Sequence, residues 1–170
     1  YIEDNIKISK RLRANLGLHI GYYSMANQTS IRNLNGIYTY LINKDFLSIQ
    51  PRFSARYLLN DEWSIKASYA EMQQNIHLLS NSSVGLPSDL WVPAIDSVPS
   101  QSSKQWAVGI ATELFGGTYE FSLEGYYKTM NNLITYKEGY SNLSSNESWE
   151  NTVEIGGEGE SYGGELFLQK

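Results

Sequence analysis

The chain has 170 residues, of which 41% are hydrophobic and only 18% charged, and its 13 Tyr, 4 Trp and 5 Phe make it rich in aromatic rings. It contains no Cys and only two His, which excludes disulfide scaffolds, thiolate chemistry and His-rich zinc sites. The net charge of −5 argues against a nucleic-acid partner, because phosphate binding needs a basic surface. No apolar run approaches the roughly 20 residues of a membrane-spanning helix, which rules out a helical membrane protein but not a β-barrel.

Alternation of apolar and polar residues predicts six β-strands. Each strand keeps its apolar residues on one face, and none of these apolar faces carries a charged residue. The predicted strands cover about residues 11–22, 47–59, 63–70, 105–114, 119–128 and 161–169.

The connections between these strands alternate between short and long. Residues 60–62 and 115–118 form short turns, whereas the segments over about 23–45, 71–104 and 129–160 are long. Short turns at one end, long loops at the other and strands of about ten alternating residues are typical of outer-membrane β-barrels. We therefore predict an all-β fold, an antiparallel up-and-down transmembrane β-barrel segment of about six strands, with short periplasmic turns and long extracellular loops.

Several short sequence pieces, taken in order, resemble a known family. They lie at 51–57, 63–70, 103–110, 124–134 and 161–166, and they include Glu124-Gly125-Tyr126-Tyr127-Lys128 followed by Asn132-Leu133-Ile134. With these pieces the chain resembles the barrel of a TonB-dependent outer-membrane receptor, most closely those of Bacteroidetes-type bacteria.

This resemblance implies a large barrel with a plug domain inside it, an energising partner, TonB, that acts through the plug, and a location in the bacterial outer membrane. It implies import of a scarce ligand such as a siderophore, a cobalamin or an oligosaccharide, with no cofactor. Residues 1–170 are then expected to be part of the barrel domain, without the plug domain and without a signal peptide. Two alternatives stay open: another outer-membrane barrel such as a porin or adhesin, and a soluble, lectin-like β-sandwich.

Charged residues on the polar faces of the strands are the first candidate site. They would line the lumen of the barrel and contact the plug, or guide an anionic ligand. The alternative is an ordinary solvated barrel interior with mixed charges. The candidates are Arg11, Arg13, Arg52, Arg56, Lys66 and Glu124.

The long loops are the second candidate site, because ligand-contacting residues concentrate in loops on a rigid scaffold. The middle loop contains His77, Asp89 and Trp91, and the indole could stack on a sugar or an aromatic chelator. Trp91 could equally pack within its own loop. We take these three residues as the ligand-binding candidates.

No catalytic residues and no metal site are expected. Gly159-Glu160-Ser161-Tyr162-Gly163 matches the nucleophile elbow G-x-S-x-G, but that motif needs a strand before the serine and a helix after it, and here a strand follows. The last long loop is acidic, with carboxylates that could hold a divalent cation but are more typical of a solvated surface.

Overall fold

The computed structural model describes residues 1–33, 36–79, 89–138 and 148–170, and over 26–43 it describes the backbone alone. In this part of the chain no helix is long and apolar enough to cross a bilayer. The elements are β1 (Ile2–Lys7), β2 (Leu12–Asn33), β3 (Gly36–Leu58), β4 (Trp63–Gln74), β5 (Ile76–Leu79), β6 (Leu90–Pro93), β7 (Gln101–Leu114), β8 (Tyr119–Tyr136), a short 3₁₀ helix (Trp149–Asn151) and β9 (Val153–Gln169).

Seven of these strands form one antiparallel sheet in the order β1-β2-β3-β4-β7-β8-β9. Each strand pairs with its neighbour in the chain, except that β5 and β6 form a separate two-stranded sheet between β4 and β7. This is the predicted up-and-down topology. All six predicted strands coincide with observed strands, two of them extending one residue beyond the observed end, and β1 is an additional edge strand.

The large sheet has one apolar and one polar face, as the alternation predicts. The apolar face is open to the surroundings: Val108 is 60% exposed and Leu166 68%, and Leu16, Ile20 and Ile49 are likewise exposed. A soluble sandwich would bury this face against a second sheet. No second sheet covers it in the described residues, so the sandwich alternative is wrong.

The polar face encloses a recess of about 500 Å³. Its lining comes from strands as far apart as β1 and β8, including Lys7, Arg13, Lys66 and Glu124. Since six strands border one recess, the sheet curves around its polar face.

Short turns at one end of the sheet are closed by side chains. Ser9 Oγ accepts hydrogen bonds from the backbone N–H groups of Arg11 and Leu12, and Asn60 Oδ1 accepts from those of Glu62 and Trp63. The β7–β8 turn instead uses three residues with positive φ, beginning at Phe115. The β1–β2 turn was not predicted, but it lies at the same end as the two turns that were.

At the other end the strands run further than predicted. β2 and β3 pair without interruption from Leu12 and Tyr57 to Asn33 and Gly36, so the predicted long loop over 23–45 consists mostly of paired strand. β8 likewise continues to Tyr136 and β9 begins at Val153. A strand needs only about 9–11 residues to cross a bilayer, so these extensions lie outside the membrane-spanning segment. Neither face of a strand needs to be apolar there.

The small sheet and the segment that follows it form what we call the cap module, defined as residues 75–79 and 89–100. Its apolar core consists of Leu79, Val92 and Val98 together with Val153 of β9. Ile134 and Tyr136 of β8 and Trp149 pack against this core. The buried hydrophobic cluster of the described chain therefore lies beside the sheet extensions, not under the sheet.

Candidate functional site

Charged residues of the polar face form one lateral row across all seven strands of the sheet. Backbone registers place directly opposite one another, in sequence from β1 to β9, Lys7, Arg13, Arg56, Lys66, Gly109, Glu124 and Glu165. We call this row the charged band. It has four cations on β1–β4, a glycine on β7 and two carboxylates on β8–β9.

The neighbouring rows of the polar face are almost uncharged. On the loop side the residues are Asn5, Asn15, Ser54, Ser68, Ala107, Tyr126 and Gly163. On the turn side Leu58, Ser64, Ala111, Ser122 and Phe167 follow one another, and the backbone N–H of Leu58 donates to the backbone oxygen of Arg11. The signs are therefore separated along the band, and Arg11 is the charged residue that lies next to it on the turn side.

The four cations of the band form no ion pair with any described residue. The ion pairs in the described part of the chain, Lys44 with Asp96 and Lys104 with Glu71, lie outside the band. Like charges directly opposite each other on neighbouring strands repel. All six charged side chains of the band are exposed in the chain by itself. They are consequently available to a partner on the polar face.

Gly109 marks the boundary between the two signs. A Cβ at this position would lie 3.3 Å from Glu124 Cγ and 3.3 Å from the backbone oxygen of Leu123. The side chain of Glu124 thus lies against the glycine, and a larger residue on β7 would displace it.

The predicted lumen residues divide into three groups. Arg13, Arg56, Lys66 and Glu124 belong to the charged band. Arg52 lies on the same face but further toward the loop end, opposite Gly17 and Ala70. Arg11 precedes β2 in the β1–β2 turn. Their contact with a plug stays a prediction.

The three predicted ligand-binding residues all belong to the cap module, but they do not form one surface. Trp91 is 63% exposed and pairs with the exposed Leu78, whereas His77 pairs with the buried Val92 on the opposite face and has no exposed surface. Asp89 is exposed just before β6. Trp91 and Asp89 are accessible to a ligand, and His77 is part of the module's interior.

The imidazole of His77 is buried without a well-formed hydrogen bond. Neither ring nitrogen has a partner with hydrogen-bond geometry among the described residues. Burial lowers the pKa of His77 below its ordinary value near 6.5, and the nearby backbone carbonyl of Pro99 opposes this only in part. His77 is therefore neutral at neutral pH in this structure.

Polar contacts hold the cap module at its base. Asn75 accepts hydrogen bonds through its backbone oxygen from Ala94 N, at 2.7 Å, and through Oδ1 from Ser100 Oγ, at 2.7 Å. Asn132 of β8 donates from Nδ2 to the backbone oxygen of Ser100, at 3.0 Å. An exposed ion pair between Lys44 of β3 and Asp96 adds a contact on the other side.

Sequence reasoning missed several of these residues. Lys7 lies on β1, which has only six residues and carries Asp4 where the alternation requires an apolar residue. No pattern therefore marks this segment as a strand. Asn75, Ser100 and Asn132 were predicted to lie in loops. Only Asn132 carried a signal, because Asn132-Leu133-Ile134 is one of the pieces that resemble the family.

The G-x-S-x-G match and several of the acidic residues of the last predicted loop lie on β9. Ser161 lies inside this strand, with no helix after it, so the nucleophile-elbow geometry is not formed. Glu154, Glu158 and Glu160 lie on the same strand, and Glu147 is outside the described residues. Among the described residues there is no group of three or more acidic or His side chains placed to hold a metal ion.

The chain matches the model of a known protein family. The family model described as TonB dependent receptor-like, beta-barrel, matches residues 1–169. No curated protein matches the chain.

Proposed function

Because the chain belongs to the family of TonB-dependent receptor-like β-barrels, we propose that it forms part of the wall of an outer-membrane receptor that imports a scarce ligand. The apolar face contacts lipid, and the short turns face the periplasm. The polar face encloses a plug domain of the same receptor, through which TonB delivers energy. The chain has no catalytic role of its own.

The observation that carries this proposal is the two-faced sheet, apolar on its outer face and charged within, with a folded cap module at its loop end. A porin also has an apolar outer face, but the family match favours a receptor with a plug. The ligand would be a siderophore, a cobalamin or an oligosaccharide. An exposed indole can contact a sugar or an aromatic chelating group of such a ligand.

Trp91 is the residue of the cap module best placed for such a contact. It projects from the face of the small sheet that also exposes Ile76 and Leu78, while the opposite face is buried in the module core. An aromatic side chain on a rigid hairpin contributes contact area at little conformational cost. Asp89, two residues away, supplies a carboxylate for a hydroxyl or amine of the ligand.

The test is uptake by cells that carry the complete receptor, with an iron-loaded siderophore, cyanocobalamin and a starch oligosaccharide mixture as probes. Uptake of one probe should require TonB and stop when a protonophore is added. Trp91→Ala should weaken binding of that probe about tenfold with the barrel still folded, since stacking contributes on the order of 1–2 kcal/mol. Trp91→Phe is the matched control and should retain most of the affinity.

Uptake that persists without TonB would contradict the transport proposal. Affinity unchanged by Trp91→Ala would contradict the role of the cap module alone.

A further inference from the structure

On four strands of the sheet, the first charged residues of the apolar face lie in one row at the loop end. Backbone registers place opposite one another, from β4 through β7 and β8 to β9, Glu71, Lys104, Thr129 and Glu160. Between this row and the turns, the apolar face of these four strands carries no charged residue, over segments that the structure describes in full. We call Lys104, Thr129 and Glu160 the polar triplet.

The polar triplet lies at the height expected for lipid headgroups. Thr129 follows Tyr119, at the start of β8, by ten residues, which is about 33 Å along the strand. With a strand tilt of about 40°, the rise along the barrel axis is about 25 Å, the height of the lipid-facing apolar band in outer-membrane barrels. Lys104 and Glu160 therefore lie at the edge of the membrane on the loop side.

Aromatic rings lie beneath the triplet and fix the position of its carboxylate. Trp106, Tyr127 and Tyr162 lie opposite one another two residues closer to the turns, and the rings of Trp106 and Tyr127 stack with centroids 6.0 Å apart. The Tyr127 hydroxyl donates a hydrogen bond to the Glu160 carboxylate. Glu160 is nevertheless exposed, so its carboxylate can also accept from a partner in the membrane.

The cation of the triplet is accessible as well. Lys104 Nζ lies 3.7 Å from Glu71 Oε1, and the lysine side chain is half-exposed. Its ammonium has three donors, so further acceptors can bind to it. Because the row has carboxylates on β4 and β9 and one cation between them, it disfavours an anionic headgroup and suits one that carries charges of both signs.

Below the rings, the apolar face contains a recess of about 480 Å³. Its floor is formed by Val108, Gly125 and Gly164. A second recess of about 440 Å³ shares this floor and continues toward the turns between the aliphatic side chains of Ile65, Ile110 and Leu123. The two recesses are therefore continuous along the outside of the wall.

Gly125 and Gly164 leave this floor open although the described residues do not require glycine there. A Cβ at either position would lie no closer than 3.8 Å to any atom outside the adjacent residues. Neither glycine has a positive φ. Strand propensity and lipid exposure would both favour a larger apolar residue. The floor therefore provides room for an acyl chain next to the polar triplet.

Resting on the proposed contact of the apolar face with lipid, we infer that the polar triplet and the recesses below it bind one membrane lipid of the phosphatidylethanolamine type. Lys104 and Thr129 donate to the phosphate, and Glu160 accepts from the lipid ammonium. Lys104 and Glu160 are two strands, or about 10 Å, apart, and their long side chains reach toward each other over Thr129. An acyl chain lies over Gly125 and Gly164.

The test is native mass spectrometry of the complete receptor in detergent, with phosphatidylethanolamine, phosphatidylcholine or phosphatidylglycerol added. Phosphatidylethanolamine should bind roughly tenfold more tightly than phosphatidylglycerol, because only its headgroup brings a cation to Glu160. Phosphatidylcholine should also bind less tightly, since its methylated amine donates no hydrogen bond.

Three variants address the three parts of the site. Glu160→Gln keeps an acceptor for the Tyr127 hydroxyl and should abolish the preference for phosphatidylethanolamine. Lys104→Gln should weaken binding of all three lipids, because each has a phosphate. Gly125→Leu with Gly164→Leu should fill the recess and block lipid binding while the barrel stays folded.

Matched controls remove the same charges from the polar face of β8. They are Glu120→Gln for the carboxylate and Lys128→Gln for the cation. Both should leave the lipid affinities within error of the unmodified receptor. Heat-modifiable migration of the barrel in gels reports separately that each variant has folded.

Equal affinities for the three lipids would overturn the inference. So would a preference for phosphatidylethanolamine that Glu160→Gln leaves unchanged, or lipid binding that persists in the folded leucine variant. Any of these results, together with uptake that still requires TonB, rejects the lipid site and leaves the transport function intact. Uptake independent of TonB rejects the function instead.

Discussion

Asn132 combines two structural roles in one side chain. Its φ of 58° lies in the left-handed region, at the point where the β8–β9 ladder shifts register between Met130 and Leu133. Asn tolerates this conformation better than other residues with a Cβ, because its short polar side chain can form local hydrogen bonds. The same side chain donates to the backbone oxygen of Ser100 and so holds the cap module to β8.

Two substitutions separate these roles. Asn132→Gly should keep the backbone conformation and lose only the hydrogen bond, which is worth about 1 kcal/mol. Asn132→Ala should lose the bond and add strain of about 1 kcal/mol more. Hydrogen exchange at the amides of β5 and β6 in the complete receptor measures the module's stability, and equal protection in Asn132→Ala and the unmodified protein would refute both roles.

The cap module contains a titratable group in its interior. His77 has a pKa below the ordinary 6.5 because it is buried, so the proton binds more weakly in the closed module than in an open one. The module itself carries Asp89 and Asp96, and Glu150, Glu154 and Tyr136 lie on the elements that pack against its core. None of the four carboxylates forms an ion pair with His77 among the described residues. The module therefore offers no described counter-charge to a protonated imidazole.

The module should consequently lose stability on acidification. Stability is complete above about pH 6.5 and falls as the pH drops below it, by at most about 1.4 kcal/mol per pH unit, because only the open form takes up the proton. Hydrogen exchange of β5 and β6, corrected for intrinsic rates, should show faster opening at pH 5.5 than at pH 7.5. His77→Leu should remove this dependence, and an unchanged opening equilibrium in the original protein would disprove the effect.

At the scale of elements, prediction from sequence succeeded where one face of a strand is apolar and failed where neither face is. The strand from Leu12 to Tyr22 was found because every second residue is apolar, but the sequence of its continuation to Asn33 does not alternate in this way. β5 and β6 are four residues each, too short for alternation to be distinguished from a loop. β1 was missed because Asp4 interrupts its apolar parity.

The whole sheet makes a direct prediction about its two faces. Leu123 and Ser122 are neighbours on β8, and Leu123 lies on the apolar face opposite Ile110 and Leu166 while Ser122 lies on the polar face. Leu123→Arg should destabilise the inserted barrel by about 2–3 kcal/mol, whereas Ser122→Arg should have little effect because it points inward near Glu124. Urea unfolding in lipid vesicles measures both, and equal losses would contradict the assignment of faces.

The charged band shows where sequence analysis of a site reaches its limit. Parity alone placed Arg13, Arg56, Lys66 and Glu124 on the polar face. Their alignment into one row depends on the registers between strands, which are set by turn geometry and by ladders such as Arg13 with Arg56 and Lys66 with Gly109. Hydropathy patterns predict the face of the sheet on which a side chain lies, but not its position along the barrel axis.

The contacts at Asn75 bear on how the wall assembles. Gln74 of β4 pairs with Gln101 of β7, although the whole cap module separates them in sequence, so this pairing must close a longer loop than any other in the sheet. The β5–β6 hairpin and the bond from Ala94 N to the Asn75 carbonyl are local and bring those two strand ends together. A module that forms early would act as a folding template. It would shorten the longest loop that the sheet has to close, because the ends of β4 and β7 would already be close together before these strands pair.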